Sequence, residues 1–450
     1  MRDYLLVLIL PLLLYAALRK PFLSISFWIW SALVPPFLWA HGGLATSVRW
    51  NFLFAVVTMA SFAINKGNKK PPSGAIFVLC VIFFAHCVIS TMLNNGYGPY
   101  VWFRFDLFWR TLLLFFFIAV VIRKQVHFES VAWGITLSFG ALAMIEGAKF
   151  VISLGGHNIF GLTPAFNDNN LSALASLMCI PIAIFLARQY KDNFYFKNGL
   201  YGVAFFNVMF VLGTDSRGAF LGLAVFSIAY WLKSKNKLRD GFVMSLGGLV
   251  ALAILSDEWF NRMETIGDAG EDGSFQGRLK SWKLAMLMAI RHPFFGGGFD
   301  STFTNRGTIN SLIADWETLS WIPSATLNVG DTVFVAHSIY FQVLADHGFL
   351  GAIWYGFIVL ITLKNLSSIA KTSKVFWHVN LAEMLRLSLI AFLTAGAALS
   401  SAYNDLFFAL VGMTAALSAV VKGEEKRVAE VRVKTMQQVR FGNETGHINT

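Results

Sequence analysis

The sequence predicts an all-α protein, a polytopic bundle of about twelve transmembrane helices, and three observations carry that reading. Of 450 residues, 56% are hydrophobic and only 14% charged, whereas a soluble domain averages about 25% charged residues. The apolar residues fall in blocks of roughly fifteen to twenty-five, the length that crosses a ~30 Å hydrocarbon core. Lys and Arg concentrate in alternate connections between the blocks, the signature of the positive-inside bias.

In order, the blocks run at about 4–18, 22–40, 50–64, 74–93, 106–122, 128–153, 169–187, 199–213, 218–232, 241–256, 337–363, 385–403 and 405–421. The first (MRDYLLVLILPLLLYAAL) has the outline of a signal peptide. Further apolar blocks follow at once without a clean cleavage site, so it reads as a retained helix. Pro35 and Pro36 interrupt the second block, which breaks or re-enters there, and the count is twelve or thirteen.

The connections 65–73, 123–127, 188–198, 233–240, 364–384 and 422–450 hold 21 Lys/Arg against 7 Asp/Glu. Between them, 41–50 carries only Arg49 and 94–105 only Arg104, while 257–336 has ten acids against six bases. Four units follow: N-terminal helices at 1–256, an outward loop at 257–336, C-terminal helices at 337–421 and an inward tail at 422–450. The tail is charged without an apolar stripe and reads as a frayed helix or disorder. Within the loop, residues 277–291 (GRLKSWKLAMLMAIR) set Leu279, Trp282, Ala285, Met286 and Ala289 against Arg278, Lys280 and Lys283. That is the pattern of a short amphipathic helix lying on the membrane surface. A Pro/Gly turn follows (HPFFGGGF, 292–299), then a polar stretch that returns to the membrane near His337.

The net charge of +11 does not point to nucleic acid, because the bases lie between apolar blocks and form no continuous surface. Cys80, Cys87 and Cys179 all sit inside apolar blocks and read as packing residues. Cys80 and Cys87 are about 10 Å apart along one helix, too far for a disulfide. No P-loop, HExxH, GxSxG or paired acidic motif for Mg²⁺ or Mn²⁺ occurs, so nucleotide-driven transport and metal-dependent transfer lack support.

Charge near a bilayer is costly and marks functional candidates. Arg217, in the TDSRG turn (214–218), would stand at the outer mouth of the bundle beside Asp215. It is either a snorkelling boundary residue or a guanidinium aimed at phosphate. Arg278 lies on the amphipathic helix near Lys280, Lys283 and Arg291, as part of a lipid-binding basic face or as the second arm of a metal-free pyrophosphate site. His337 stands where the loop re-enters the membrane. It is either a cap or a base, since a neutral imidazole with pKa about 6.5 can accept a proton there. His347, some 15 Å further along, reads with Asp346 as structural. Glu146 and Lys149, spaced i, i+3, form a structural pair or an ion relay. Arg110 snorkels or pairs with Asp106, and Asp405 in SAYND could orient a base or an arginine.

Three of these motifs, TDSRGAF (214–220), GRLKSWKLAM with RHPFFGGGF (277–299) and AHSIYFQVLADHGFLGAIWY (336–355), resemble in order and side the core of the O-antigen ligase/polymerase superfamily of bacterial envelopes. The N-terminus MRDYLLVLILPLLLYAALRKPF also looks like the superfamily branch described as O-glycosylation ligases associated with exosortase systems. The resemblance implies a GT-C-like, metal-independent glycosyltransferase of the bacterial inner membrane that uses an undecaprenyl-diphosphate-linked glycan as donor. Its active site would face the periplasm, with the C-terminus cytoplasmic. It implies Arg217 and Arg278 as diphosphate ligands and His337 as catalytic base, with no cofactor and no metal. The expected activity is O-antigen ligation to a sugar hydroxyl of lipid A–core. Polymerisation of glycan units and oligosaccharide transfer to protein remain alternatives, as does, more distantly, secondary transport through Glu146, Lys149 and Arg110.

Overall fold

The computed structural model describes residues 2–40, 42–67, 69–94, 99–255, 273–304, 306–324 and 335–446. The expected boundary at 256/257, the loop residues 256–272 and 325–334, and the last four residues of the tail lie outside them. The described residues are helical almost throughout, with one isolated bridge between Thr163 and Phe166. A helix occupies each apolar block of the sequence. These are α1 (Arg2–Arg19), α2 (Pro21–Leu33), α3 (Trp50–Ile64), α4 (Ala75–Leu93), α5 (Pro99–Val121), α6 (Gln125–Ile152) and α7 (Asn169–Gln189). The series continues with α8 (Phe194–Gly213), α9 (Arg217–Lys233) and α10 (Lys237–Ile254), then α11 (Gly273–Arg291) in the long loop. It ends with α12 (Ile339–Thr372), α13 (Phe376–Gly396) and α14 (Asp405–Gly446).

The all-α, membrane-type class therefore holds. Among the described residues, length and apolarity mark seven spans, α4, α6, α7, α8, α12, α13 and the Asp405–Val431 part of α14, rather than twelve. The other helices are short, as α2 and α3 are, or charged, as α5 is with Arg104, Asp106 and Arg110. The second block does break at its prolines: Val34, the residue before Pro35, takes the extended conformation that a following proline imposes, and α2 stops at Leu33. In the tail the sequence left helix or disorder open, and α14 stays helical to Gly446.

α7 is the hub of the bundle, buried along nearly its whole length. Its Ser176 donates to Asn207 Oδ1 of α8 at 2.9 Å, and Asn207 in turn donates to the Gly140 carbonyl at 2.8 Å. Gly140 closes a π-helical turn in α6 (Thr136–Gly140), where the widened ladder leaves carbonyls to be satisfied from outside. The three cysteines are free and buried. Glu146 pairs with Lys149 at 2.6 Å and with His157 at 2.7 Å, and Arg110 pairs with Asp106. Each of these pairs joins residues close in sequence.

What shapes the loop end of the bundle is a clasp between the HPFFGGGF turn and α12. Gly297 and Gly298 donate their N–H groups to the carbonyls of Ala345 and Asp346 at 2.9 and 3.0 Å, and Phe349 donates to the Pro293 carbonyl at 2.8 Å. The exchange is possible because α12 breaks at Gly348, whose φ of 68° and ψ of −173° free its ladder at that point. Asp346, fully buried, accepts from the Ser301 N–H at 3.0 Å and from the Tyr403 hydroxyl at 3.1 Å. His347 lies within hydrogen-bonding distance of Ser90 Oγ and Cys87 Sγ on α4, and His86 reaches the His347 carbonyl at 2.9 Å. Asp346 and His347 are both buried and held by hydrogen bonds within the bundle.

A side chain at 348 has no room. Its Cβ would stand 2.6 Å from the Pro293 carbonyl oxygen in a backbone region essentially closed to L residues. Gly348→Ala is expected to cost about 3 kcal/mol or more. Thermal unfolding of detergent-solubilised protein, read by thiol-dye labelling of the buried cysteines, checks this; an unchanged midpoint would mean the clasp contributes little.

Candidate functional site

The loop helix forms as expected and begins four residues earlier, at Gly273. Its apolar face does not lie open to lipid. Leu284, Leu287 and Met288 pack with Leu312, Trp316, Leu319 and Ile322 in a small second core of their own. The stretch that reads as polar carries Leu312, Trp316 and Leu319 at i, i+4 and i+7, a helical apolar spacing that the sequence reading passed over. The expected basic face is accordingly divided. Lys283 is 2% exposed with its ammonium 4.9 Å from the Trp316 ring centroid, and Arg291 pairs with Asp315 at 3.7 Å. Arg278, near the start of the helix, stays half-exposed.

Arg217 is the first residue of α9. Ser216 caps that helix, accepting from the Ala219 N–H at 3.3 Å, and Asp215 before it takes the left-handed conformation (φ 54°) that turns the chain between α8 and α9. Two contacts locate the turn. Asn169 Nδ2, in the first turn of α7, donates to the Thr214 carbonyl at 2.9 Å. Gly218 lies against α13 and the chain leaving it, its Cβ position 3.5 Å from both the Ala395 carbonyl oxygen and Ala398 Cβ.

His337 precedes α12 by two residues and is itself left-handed, with φ of 46°. For an L residue that conformation costs about 1 kcal/mol and needs support from its surroundings. The support is hydrogen bonding: its N–H donates to Ser400 Oγ at 2.7 Å, and its carbonyl accepts from Trp282 Nε1 of α11 at 3.4 Å. The ring opens toward solvent, yet the surrounding protein desolvates it enough to lower its pKa. The Arg278 guanidinium acts in the same direction, and the Asp168 carboxylate opposes them. Asp168 caps α7 through Leu171 N–H at 2.8 Å and is the neighbour of the Asn169 that holds Thr214.

The structure thus brings Arg278 and His337 within electrostatic reach of each other. It seats the Arg217 turn at the same end of the bundle through Asn169 on one side and the α13 terminus on the other. Asp405, which could orient a base or an arginine, accepts from Thr111 Oγ1 of α5 at 2.5 Å. Among the described residues no three His, Cys, Asp or Glu side chains gather as a metal site. Sequence reasoning missed Asp168, Asn169, Trp282 and Ser400. Asp168 and Asn169 had a legible signal, the polar run FNDNN opening an apolar block as a cap does. Trp282 was counted only as an apolar residue, and Ser400 carried no signal.

Such a group, two guanidinium arms and an imidazole whose pKa is held down, suits transfer chemistry on a phosphorylated donor. Residues 202–356, which contain Arg217, Arg278 and His337, match a family model described as O-antigen ligase. Residues 1–191 match a family of unknown function, DUF5935. No curated protein matches the chain. With the three motifs in order on an all-helical membrane-type bundle, the chain is similar over residues 202–356 to the O-antigen ligase family.

Proposed function

We propose that this protein is a glycosyltransferase of the bacterial inner membrane that moves a glycan from an undecaprenyl-diphosphate donor to a sugar hydroxyl of lipid A–core at the periplasmic face. The observation that supports the reading is that Arg278 lies within electrostatic reach of His337, at the end of the bundle that also holds the Arg217 turn, all within the segment that matches O-antigen ligase. His337 takes the proton of the acceptor hydroxyl as its oxygen attacks the anomeric carbon. The bond from that carbon to the diphosphate oxygen breaks, and the lipid diphosphate leaves with added negative charge. Arg217 and Arg278 stabilise that charge more strongly in the transition state than in the ground state, which is the condition for catalysis. Direct displacement inverts the anomeric configuration. The Lys/Arg-rich connections set the opposite face and the C-terminus in the cytoplasm.

One observation favours a second reading of the acceptor. A continuous basic face on α11 would have suited phosphorylated lipid A–core, but Lys283 is buried and Arg291 is paired. Protein or a growing glycan as acceptor gains by that loss.

Purified protein in nanodiscs, given lipid-linked glycan and each acceptor in turn, is expected to label lipid A–core at the same rate with and without EDTA. Label on protein or glycan alone would overturn the ligase assignment. Activity lost to EDTA and restored by Mg²⁺ would overturn the arginine-only treatment of the diphosphate.

A further inference from the structure

His337 is held in a way the reaction itself does not require. Both of its backbone polar groups are engaged by side chains from elements far away in sequence, the N–H by Ser400 beyond α13 and the carbonyl by Trp282 of α11. Each of these side chains is tied to one of the two arginines, Trp282 along its helix and Ser400 through packing in space. Trp282 is four residues after Arg278 on the same helix, so the two side chains share a face about one turn apart. Trp282 is also fixed on its other side, stacked on Phe341 of α12 with centroids 5.3 Å apart and rings 10° from parallel. Ser400 lies two residues beyond Ala398, against which Gly218, the neighbour of Arg217, packs. The left-handed backbone at 337 has every reason to relax if either bond is lost.

We infer that Trp282 and Ser400 form a two-sided clamp that fixes His337 relative to Arg278 and Arg217, making them positioning residues of the site. In this view the tryptophan of GRLKSW is the spacer that ties the arginine of that motif to the histidine of AHSIY. The clamp deepens the proposed function, since its catalytic value rests on His337 being the base. The geometry of the clamp itself can be read separately.

The variants Trp282→Phe, which keeps the ring stacked on Phe341 but removes the N–H donor, and Ser400→Ala remove one side each. Ser400→Thr retains a hydroxyl. The first readout is the titration of the His337 imidazole by NMR of histidine-labelled protein in nanodiscs, assigned by difference from His337→Ala. In both Trp282→Phe and Ser400→Ala the midpoint is expected to move up toward an ordinary histidine as the ring leaves Arg278, with Ser400→Thr close to wild type. The second readout is transfer, where a roughly tenfold or greater fall in kcat with little change in donor KM is expected for the first two variants. A titration unmoved in both, in protein that remains monodisperse, overturns the clamp whatever the turnover. A titration that moves while turnover stays at the wild-type value upholds the clamp and instead removes His337 as the base.

Discussion

His337→Gln is expected to lower kcat for glycan transfer by about 10² to 10⁴-fold while the protein inserts, folds and binds donor normally. That range is what a positioned general base contributes to proton removal from a poor nucleophile such as a sugar hydroxyl. Glutamine keeps much of the imidazole's size and polarity, so the loss can be assigned to the missing base. The pH dependence gives an independent check. A base acts in its neutral form, and the His337 pKa is lowered by desolvation and by Arg278. The acid limb of kcat/KM should therefore fall below the ordinary histidine range, and transfer should persist at pH values where a free imidazole is mostly charged. Asp168→Asn removes the opposing carboxylate and should move that limb further down. Wild-type turnover in His337→Gln would end the assignment.

The arginines are expected to follow closely in size. Arg217→Ala and Arg278→Ala should each reduce kcat by about 10² to 10³-fold, the usual cost of deleting one preorganised donor to developing oxyanion charge. Lysine in their place keeps the charge without the planar fork, and should recover only part of the loss where two phosphate oxygens are gripped at once. If both guanidinium groups act on one diphosphate, the double variant should lose less than the product of the single losses, because the remaining arm is already misplaced. Additive losses would point to separate roles. Single-turnover measurements with pre-bound donor separate weakened binding from slowed chemistry. Arg278→Ala carries a second signature, since removing its charge should let the acid limb of His337 move up.

Much of this architecture was legible in the residues. Hydropathy blocks locate every helix except those of the long loop, because a spanning segment must satisfy its backbone internally and show lipid an apolar surface. The same cost of charge near a bilayer drew attention to Arg217, Arg278 and His337. What sequence could not give was side-chain context in the long loop between α10 and α12. Lys283 looks like a solvated base, and only the fold buries it over Trp316. Leu312, Trp316 and Leu319 have a helical spacing, but it is too short a run among polar residues to show what it packs against. The backbone contacts of His337 come from residues 55 and 63 positions away, and serine and tryptophan at such distances leave no local pattern. Helix ends were blurred for a related reason. α13 begins nine residues before its apolar block at 385–403 because His378, Asn380 and Ala382 are buried by neighbouring helices rather than exposed to lipid.

The clasp at Gly348 bears on how the chain divides. Ser90 and His86, within the segment matching the family of unknown function, bond to Asp346 and His347, within the segment matching O-antigen ligase, across 256 to 261 residues. The two matches are names for parts of one cooperative object. The ligase-matching segment cut out alone would leave the Asp346 carbonyl and the buried His347 imidazole without their α4 partners, so it is not a portable module. Whatever inherits this chemistry must inherit both halves together.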